Sequence, residues 1–265
     1  MEYDILSNNI KIPKIGFGVY QIEVNKTGEC VNNALALGYR HIDTARNYGN
    51  EREVGNAIAN SKIDRKDIFL TTKISGSYHY EEACLYIEEA LSKLKVDYID
   101  LMLFHWPSGN LNNTYQAMEK YYKMGKLKAI GLSNFYGNDL IQILDNCEIK
   151  PMVNQVEAHV FFQQRDLKKD MDKLNIKLEA WSPLASGKNN IFLNCTLESI
   201  AKKHHKSVAQ IALRFLMQKG FIVIPKSQHI ERMKENIEIL DFSLDDGDIK
   251  KIESMELNDS LFGWY

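Results

Sequence analysis

The sequence has no excess of charge of either sign. Its 265 residues include 33 Lys and Arg against 35 Asp and Glu, a formal net charge of -2 at pH 7. Proteins that bind nucleic acids or anionic membrane surfaces carry basic patches or a strongly positive balance. We therefore expect neither kind of partner.

Cysteine is sparse, and no two cysteines form a CxxC pair; the residues are Cys30, Cys84, Cys147 and Cys195. A disulfide framework is unusual in a chain of this size, so four reduced thiols are expected. None lies in a zinc-binding or nucleophile pattern, and we expect no metal site.

A secretory signal and long apolar runs are also missing. The chain begins MEYD, with no basic region followed by an apolar stretch. The most apolar run, Tyr98 to Trp106, contains Asp100 and is far too short to span a bilayer. A cytoplasmic protein is expected.

What the sequence does contain is a regular alternation of β-rich runs and helical patterns. After an N-terminal hairpin turning near residues 7–9, eight strands are predicted, at Tyr39–Asp43, Ile68–Ile74, Ile99–His105, Lys128–Ser133, Met152–Glu157, Lys177–Trp181, Phe221–Pro225 and Glu238–Phe242. Apolar residues three and four apart predict helices between them, including one with Met233, Ile237 and Leu240 on its buried face. This α/β pattern predicts parallel pairing and a single-domain (β/α)8 TIM barrel over residues 1–265. An open doubly wound sheet is the alternative.

Residues capable of proton chemistry fall at or just after three predicted strand ends. They are Asp43, Tyr48, Lys73 and His105, and in such barrels the loops that follow the strands converge on one mouth. The Lys73 ammonium would lower the pKa of Tyr48 from about 10, and Asp43 would fix that ammonium. A neutral His105 could orient a substrate oxygen. Singly, each residue is better explained as structural; as a set they predict a proton-donating site.

Several motifs resemble those of the aldo-keto reductase family. GYRHIDTA at 38–45, followed by Tyr48, is similar to the family signature, and LFHWP (103–107), GLSNF (131–135), NQVE (154–157) and IPKS (224–227) follow in the same order. The resemblance implies NADPH-dependent reduction of aldehydes or ketones to alcohols by hydride transfer from nicotinamide C4. It further implies that Tyr48 is the general acid, supported by Lys73 and Asp43, and that His105 positions the carbonyl.

No GxGxxG opens a helix after a strand, so a Rossmann-type cofactor site is not supported. Ser133, Asn134 and Gln155 carry donors and acceptors that suit a nicotinamide carboxamide, although strand-end capping also explains them. Gly16-Phe17-Gly18 fits a tight turn at the barrel rim as well as it fits a ligand contact. The family resemblance assigns further cofactor contacts to Gly18, Val19, Trp181, Ser182 and Leu184.

A late cluster combines a lysine at a predicted strand end with an arginine on the following helix. Lys226 and Arg232 could neutralise a phosphate near that helix N-terminus, or they could lie on a solvated face. The resemblance to the family pattern assigns Lys226, Ser227 and Arg232 to the adenosine 2′-phosphate and Asn236 to adenine. It thereby implies NADPH rather than NADH.

The substrate pocket is expected to have aromatic walls formed by Tyr20 and Trp106. Short segments after Pro107 and Leu184 resemble compact bacterial-type members, which reduce diketo sugar acids, methylglyoxal-like dicarbonyls and assorted aldehydes. The apolar ending, residues 261–265, either folds over the pocket or docks on the barrel. A small carbonyl compound and a monomeric chain are expected.

Two other functions are open. One is a barrel that binds NADPH without turnover, as a regulatory or redox-sensing subunit; the four occupied proton-chemistry positions argue against it. The other is a phosphate-substrate lyase or isomerase that uses Lys73 as a Schiff-base nucleophile. The cofactor motifs argue against that alternative.

Overall fold

The computed structural model describes residues 1–264. Eight parallel strands, each paired with the next along the chain, form its centre. They are β3 (Phe17–Gly18), β4 (His41–Asp43), β5 (Phe69–Ile74), β6 (Ile99–Phe104), β7 (Leu127–Ser133), β8 (Val153–Glu157), β9 (Lys177–Trp181) and β10 (Phe221–Val223). The predicted α/β barrel is confirmed.

Backbone hydrogen bonds join the two ends of this curled sheet. The N–H of Gly16 donates to the carbonyl of Val223 at 2.8 Å, and the N–H of Val223 donates to the carbonyl of Lys14 at 2.9 Å. Because these residues flank the first strand and belong to the last, the bonds close the barrel.

The predicted N-terminal hairpin consists of β1 (Tyr3–Ile5) and β2 (Lys11–Pro13), which pair antiparallel. Its buried residues Leu6 and Ile12 belong to one apolar cluster with residues of the barrel strands, among them Leu101 and Ile222. The hairpin therefore packs against the apolar interior of the barrel.

Helices surround the sheet and bury apolar side chains in the core. They are α1 (Val24–Ala36), α2 (Glu51–Asn60), α3 (Tyr80–Leu94), α4 (Leu111–Lys123), α5 (Gly137–Asn146), α6 (Arg165–Leu174), α7 (Cys195–His204), α8 (Val208–Gln218), α9 (Ile230–Ile237) and α10 (Asp246–Glu253). Short 3₁₀ segments lie at Arg46–Tyr48 and Arg65–Asp67. In Ala185–Leu193, 3₁₀ turns are interrupted by non-helical backbone at residues 186–190. On α3 the buried residues are Ala83, Ile87, Ala90, Leu91 and Leu94, spaced as one helix face requires.

Two predictions about the strands are wrong. Glu238–Phe242 is not a strand, and Leu240 lies beyond the end of α9. This segment hydrogen-bonds to a helix: the side-chain amide of Gln210 on α8 donates to the carbonyl of Glu238 at 2.9 Å. The missing strand is Phe17–Gly18, whose two residues are too few to show an alternating pattern. Consequently the strands that precede the proton-chemistry residues are the second, third and fourth of the barrel.

The described residues contain no helix that is both long and apolar enough to cross a membrane. Within the same range there is no group of three or more His, Cys, Asp and Glu side chains placed to hold a metal ion. The four cysteines are free thiols.

Candidate active site

The carboxyl ends of the strands open into a cleft of about 1400 Å³. It runs from Tyr48 and His105 over the strand ends to Arg232 and Asn236 on α9. The position agrees with the rule that the active sites of such barrels lie at the carboxyl ends of the strands. A cleft of this volume can hold a dinucleotide and a small second ligand.

Lys73 lies beneath this cleft and is completely buried. Its ammonium donates to Asp43 Oδ1 at 2.6 Å, to the carbonyl of Thr44 at 3.0 Å and to the Tyr48 hydroxyl oxygen at 3.3 Å. All three ammonium hydrogens thus have acceptors. Because the Tyr48 oxygen accepts from Lys73, its own hydrogen is left to be donated elsewhere.

The pKa of Tyr48 differs from the sequence-based expectation. Burial raises it to about 12, although Lys73 acts in the expected direction and lowers it. Desolvation of the phenolate outweighs the nearby ammonium, so Tyr48 keeps its proton at neutral pH. For Lys73, burial alone would lower the pKa, but the Asp43 carboxylate raises it above the ordinary value. The pair is therefore a protonated phenol beside a permanent cation.

His105 completes the group at the proton-chemistry end. Burial lowers its pKa to about 3, with Lys73 acting in the same direction, so the imidazole is neutral at neutral pH. Its ring centroid lies 5.7 Å from that of Tyr48. Its Nδ1 has no hydrogen-bond partner among residues 1–264. A neutral imidazole and a phenol thus face the same space.

Next to these residues, three polar side chains present a matched set of hydrogen-bonding groups. Asn134 Nδ2 donates to Ser133 Oγ at 3.0 Å, which leaves the Ser133 hydroxyl hydrogen for a ligand. Gln155 Nε2 donates to Asp43 Oδ2 at 2.9 Å and to Glu179 Oε1 at 2.5 Å, which leaves the Gln155 carbonyl as an acceptor. Because Ser133 and Gln155 are paired in register on adjacent strands, they offer one donor and one acceptor side by side. Such a pair suits a primary carboxamide, as in nicotinamide.

The Trp181 indole is fixed beside that set. Its Nε1 donates to Asn134 Oδ1 at 2.7 Å, and Asn134 itself adopts the left-handed backbone conformation, with φ of 63°. An asparagine tolerates this conformation better than most residues do. The indole lines the cleft and offers a flat apolar surface to a ring.

The far end of the cleft carries unpaired positive charge. Lys226 and Arg232 are exposed and line it, and neither forms an ion pair within residues 1–264. The first turn of α9 has no side-chain cap at His229, so its backbone N–H groups are available to an anion. Ser227 and the buried Asn236 line the same region. These residues fit a phosphate-bearing nucleotide.

Known proteins resemble this chain over nearly its whole length. The model of the aldo/keto reductase family matches residues 14–257. The chain belongs to the aldo/keto reductase family. It is 42% identical to the glyoxal reductase of Bacillus subtilis (strain 168), covering 97% of this chain and 93% of the relative. Identity is also 42% to the 9,11-endoperoxide prostaglandin H2 reductase of Trypanosoma cruzi (strain CL Brener), over 96% and 90% of the two chains.

Solved structures agree with the family assignment. The aldo-keto reductase MGS-M4, from a Medee basin deep-sea metagenome library, is 44% identical and superposes with a TM-score of 0.94 over 97% of this chain and 96% of that one. The chain is thus an oxidoreductase of the carbonyl-reducing type that uses a nicotinamide cofactor.

Most of the other site residues predicted for this aldo/keto reductase also line the cleft. They are Gly18, Tyr20, Trp106, Ser182 and Leu184. Val19 is fully buried and does not line it; its N–H instead donates to the carbonyl of Asp43 at 3.0 Å. The loop after β9 has left-handed backbone at Ser182 and Ala185, a conformation that recurs at ligand sites.

The C-terminal segment of this reductase lies over the cleft. Trp264 stacks on Trp181 with ring centroids 5.2 Å apart and lies 6.4 Å from Trp106. Phe262 packs on Trp181 at 5.1 Å. Of the two open arrangements for residues 261–265, covering the pocket is the one observed for 261–264; Tyr265 lies outside the described residues.

Two side chains anchor that segment, and sequence reasoning found neither. Glu157 accepts from the Ser260 hydroxyl at 2.6 Å and from the N–H of Leu261 at 2.9 Å. The Lys188 ammonium donates to the carbonyl of Leu261 at 2.7 Å and lies 4.4 Å from the Phe262 ring centroid. No local pattern signals contacts between positions so distant in the chain.

Proposed function

We propose that this aldo/keto reductase uses NADPH to reduce small aldehydes, dicarbonyls or keto sugars to alcohols, with Tyr48 as the general acid. The observation that carries the proposal is the hydrogen-bond arrangement at Lys73. Because its ammonium donates to the Tyr48 oxygen, the phenol hydrogen is directed to a further acceptor. A substrate carbonyl in the cleft would be that acceptor.

Bound NADPH would supply the hydride from nicotinamide C4. The residues of the chain supply the proton and the geometry. Tyr48 would donate its proton to the carbonyl oxygen, and Lys73, held at 2.6 Å by Asp43, would stabilise the phenolate left behind. Neutral His105 would hydrogen-bond the same oxygen and orient the carbonyl. General acid catalysis of this kind contributes about 10²–10⁴-fold in rate.

The two ends of the cleft would bind the two ends of the cofactor. Ser133 and Gln155 would bind the carboxamide, Asn134 would hold both Ser133 and Trp181, and Trp181 would support the ring. The remaining cofactor contacts in the proposal are Gly18, Ser182, Leu184, Lys226, Ser227, Arg232 and Asn236. The unpaired charges of Lys226 and Arg232 favour the 2′-phosphate of NADPH over the 2′-hydroxyl of NADH.

The substrate class is supported by the cleft wall and by a relative. Tyr20 and Trp106 line the cleft near Tyr48, with the Tyr20 ring 4.9 Å from the Tyr48 ring. The Bacillus subtilis relative is a glyoxal reductase, and glyoxal is a small dicarbonyl. The proposal also includes a monomeric, single-domain, cytoplasmic enzyme without a metal partner. The charge balance supports the further expectation that it has no nucleic-acid or membrane partner.

The test is NADPH oxidation at 340 nm across aldehydes, dicarbonyls, keto sugars and quinones. Tyr48→Phe should keep the wild-type dissociation constant for NADP⁺ and lose about 10²–10⁴-fold in turnover. Tyr78→Phe is the matched control, because Tyr78 is 74% exposed and does not line the cleft. Tyr48→Phe activity above about a tenth of wild type would refute the assigned acid.

The same assay addresses the alternatives. Tight NADPH binding by the wild type with no turnover of any carbonyl would favour a regulatory barrel. Borohydride trapping of a carbonyl substrate on Lys73 would favour the Schiff-base alternative.

A further inference from the structure

A second buried carboxyl group lies next to the proton-donating residues, and the family-level chemistry gives it no role. Glu179 is completely buried in β9, paired in register with Gln155 on β8. Its Oε1 accepts from Gln155 Nε2 at 2.5 Å. A carboxyl group in the middle of a strand, with apolar Leu178 and Ala180 on either side, is costly to bury without a partner.

The hydrogen bond to Glu179 determines which polar atom Gln155 can present to a ligand. One amide hydrogen of Gln155 goes to Asp43 Oδ2 at 2.9 Å, and the other goes to Glu179. In Asp43, Oδ1 accepts from Lys73 and Oδ2 accepts the first amide hydrogen, and the second amide hydrogen is met by Glu179. With both hydrogens bound inside the barrel, the carbonyl oxygen is the polar atom of Gln155 left for the cleft. Without Glu179, one amide hydrogen would lack an acceptor, and the amide could turn that hydrogen toward the ligand.

We propose that Glu179 is a positioning residue for the nicotinamide carboxamide, acting through Gln155: it accepts the second amide hydrogen so that Gln155 presents only its carbonyl oxygen. The NH₂ group of the nicotinamide carboxamide needs an acceptor at that point. If the Gln155 amide were rotated, its own NH₂ group would face the NH₂ group of the cofactor, and no hydrogen bond could form. The inference rests on the proposed function, since it assumes that the carboxamide binds beside Ser133 and Gln155.

The charge state of Glu179 suits this task. Burial and the nearby Asp43 raise the pKa of Glu179 to about 8, while Lys73 acts to lower it. The charged groups that face it are thus Asp43 from β4 and Lys73 from β5. Its Oε2 has no hydrogen-bond partner within residues 1–264, as a neutral acid tolerates better than a carboxylate. The raised pKa favours the uncharged acid, and glutamine matches that form in size and in its acceptor oxygen.

The experiment compares two ligands in three proteins by isothermal titration calorimetry at pH 7. The ligands are NADP⁺ and 2′-phospho-ADP-ribose, which lacks the nicotinamide. Glu179→Leu should weaken NADP⁺ binding about two- to tenfold, as loss of one hydrogen bond predicts. It should leave binding of the fragment within about twofold of wild type. Glu179→Gln keeps an acceptor for Gln155 and should restore NADP⁺ binding to within about twofold.

Three results would overturn the inference. They are equal weakening of both ligands by Glu179→Leu, wild-type NADP⁺ binding by that variant, and failure of Glu179→Gln to restore binding. If the leucine variant does not fold, Glu179→Asp replaces it, since a side chain shorter by one methylene withdraws the acceptor from Gln155. Wild-type NADPH turnover, measured in parallel, separates this inference from the proposed function. If the wild type turns over NADPH and Glu179→Leu binds NADP⁺ as the wild type does, only the inference is overturned. If the wild type does not bind NADP⁺, both the inference and the proposed function are overturned.

Discussion

Arg232→Ala tests the cofactor assignment at the end of the cleft that is farthest from the chemistry. Arg232 is exposed, lines the cleft and forms no ion pair within residues 1–264. Alanine therefore removes no internal ion pair from an exposed position, and the free energy of unfolding should change by less than about 0.5 kcal/mol. Any effect on kinetics then reports on the ligand.

The expected magnitude follows from the exposure of the site. A hydrogen bond to a charged group is worth about 1.5–3 kcal/mol, and solvent screening at an exposed site places this one near the lower limit. A loss of about 1.4 kcal/mol is tenfold in affinity. The KM for NADPH should rise about tenfold, and Lys226 should retain part of the phosphate binding. NADH has no 2′-phosphate, so its KM should stay within about twofold.

The assay is initial-rate kinetics with each cofactor at a fixed, saturating aldehyde concentration. Lys234→Ala is the control, because Lys234 is exposed on the same helix but does not line the cleft. The NADPH effect of Arg232→Ala should shrink at high salt. An equal rise in KM for both cofactors, or a Lys234→Ala effect as large as that of Arg232→Ala, would refute the reasoning.

Three further predictions concern the barrel interior and the C-terminal segment. Lys73→Met should lower the free energy of unfolding in urea by about 3–5 kcal/mol, because it leaves Asp43 as a buried uncompensated charge; unchanged stability would contradict the ion pair. Trp264→Ala should raise the KM for an aromatic aldehyde about two- to tenfold by removing one aromatic contact, while the KM for acetaldehyde stays constant; equal rises for both aldehydes would contradict this. Because burial lowers the pKa of His105 from 6.5 to about 3, the unfolded chain binds more protons between these values. Stability should therefore fall as the pH falls through that window, by up to about 1.4 kcal/mol per pH unit, and His105→Gln should flatten this part of the urea-unfolding profile; an unchanged slope would contradict it.

The sequence was sufficient to predict the barrel because most strands are long enough to show their pattern. β5, with six buried residues, and the α3 helix face are of this kind. Phe17–Gly18 was missed because two residues show no periodicity, and Glu238–Phe242 was predicted to be a strand from its apolar residues. Of these, Ile239 is buried and Leu240 and Phe242 are half-buried. The segment contacts helices, through Gln210 of α8 and His204 of α7. A buried position favours an apolar residue whether a strand or a helix packs on it, so apolar residues alone do not identify a strand.

The site was predictable to the extent that it depends on strand ends. Asp43, Lys73 and His105 lie at or next to strand ends, so topology alone places them near one another. Trp264 was not predictable, because its contacts with Trp106 and Trp181 join distant positions. Glu179 left a usable signal, namely a carboxyl group inside an otherwise apolar strand. The pKa of Tyr48 could not be predicted, since it depends on how far burial outweighs the ammonium.

One hydrogen-bond chain connects the two functions of the cleft. It runs from the Tyr48 oxygen through Lys73, Asp43 and Gln155 to Glu179. In the proposed reaction a proton and a hydride must reach the same carbonyl group, so the donor and the nicotinamide need a fixed relative position. Asp43 supplies it, because one of its oxygens orients the support of the proton donor and the other orients the amide that would bind the cofactor. An interior of this kind cannot be divided into a catalytic part and a binding part.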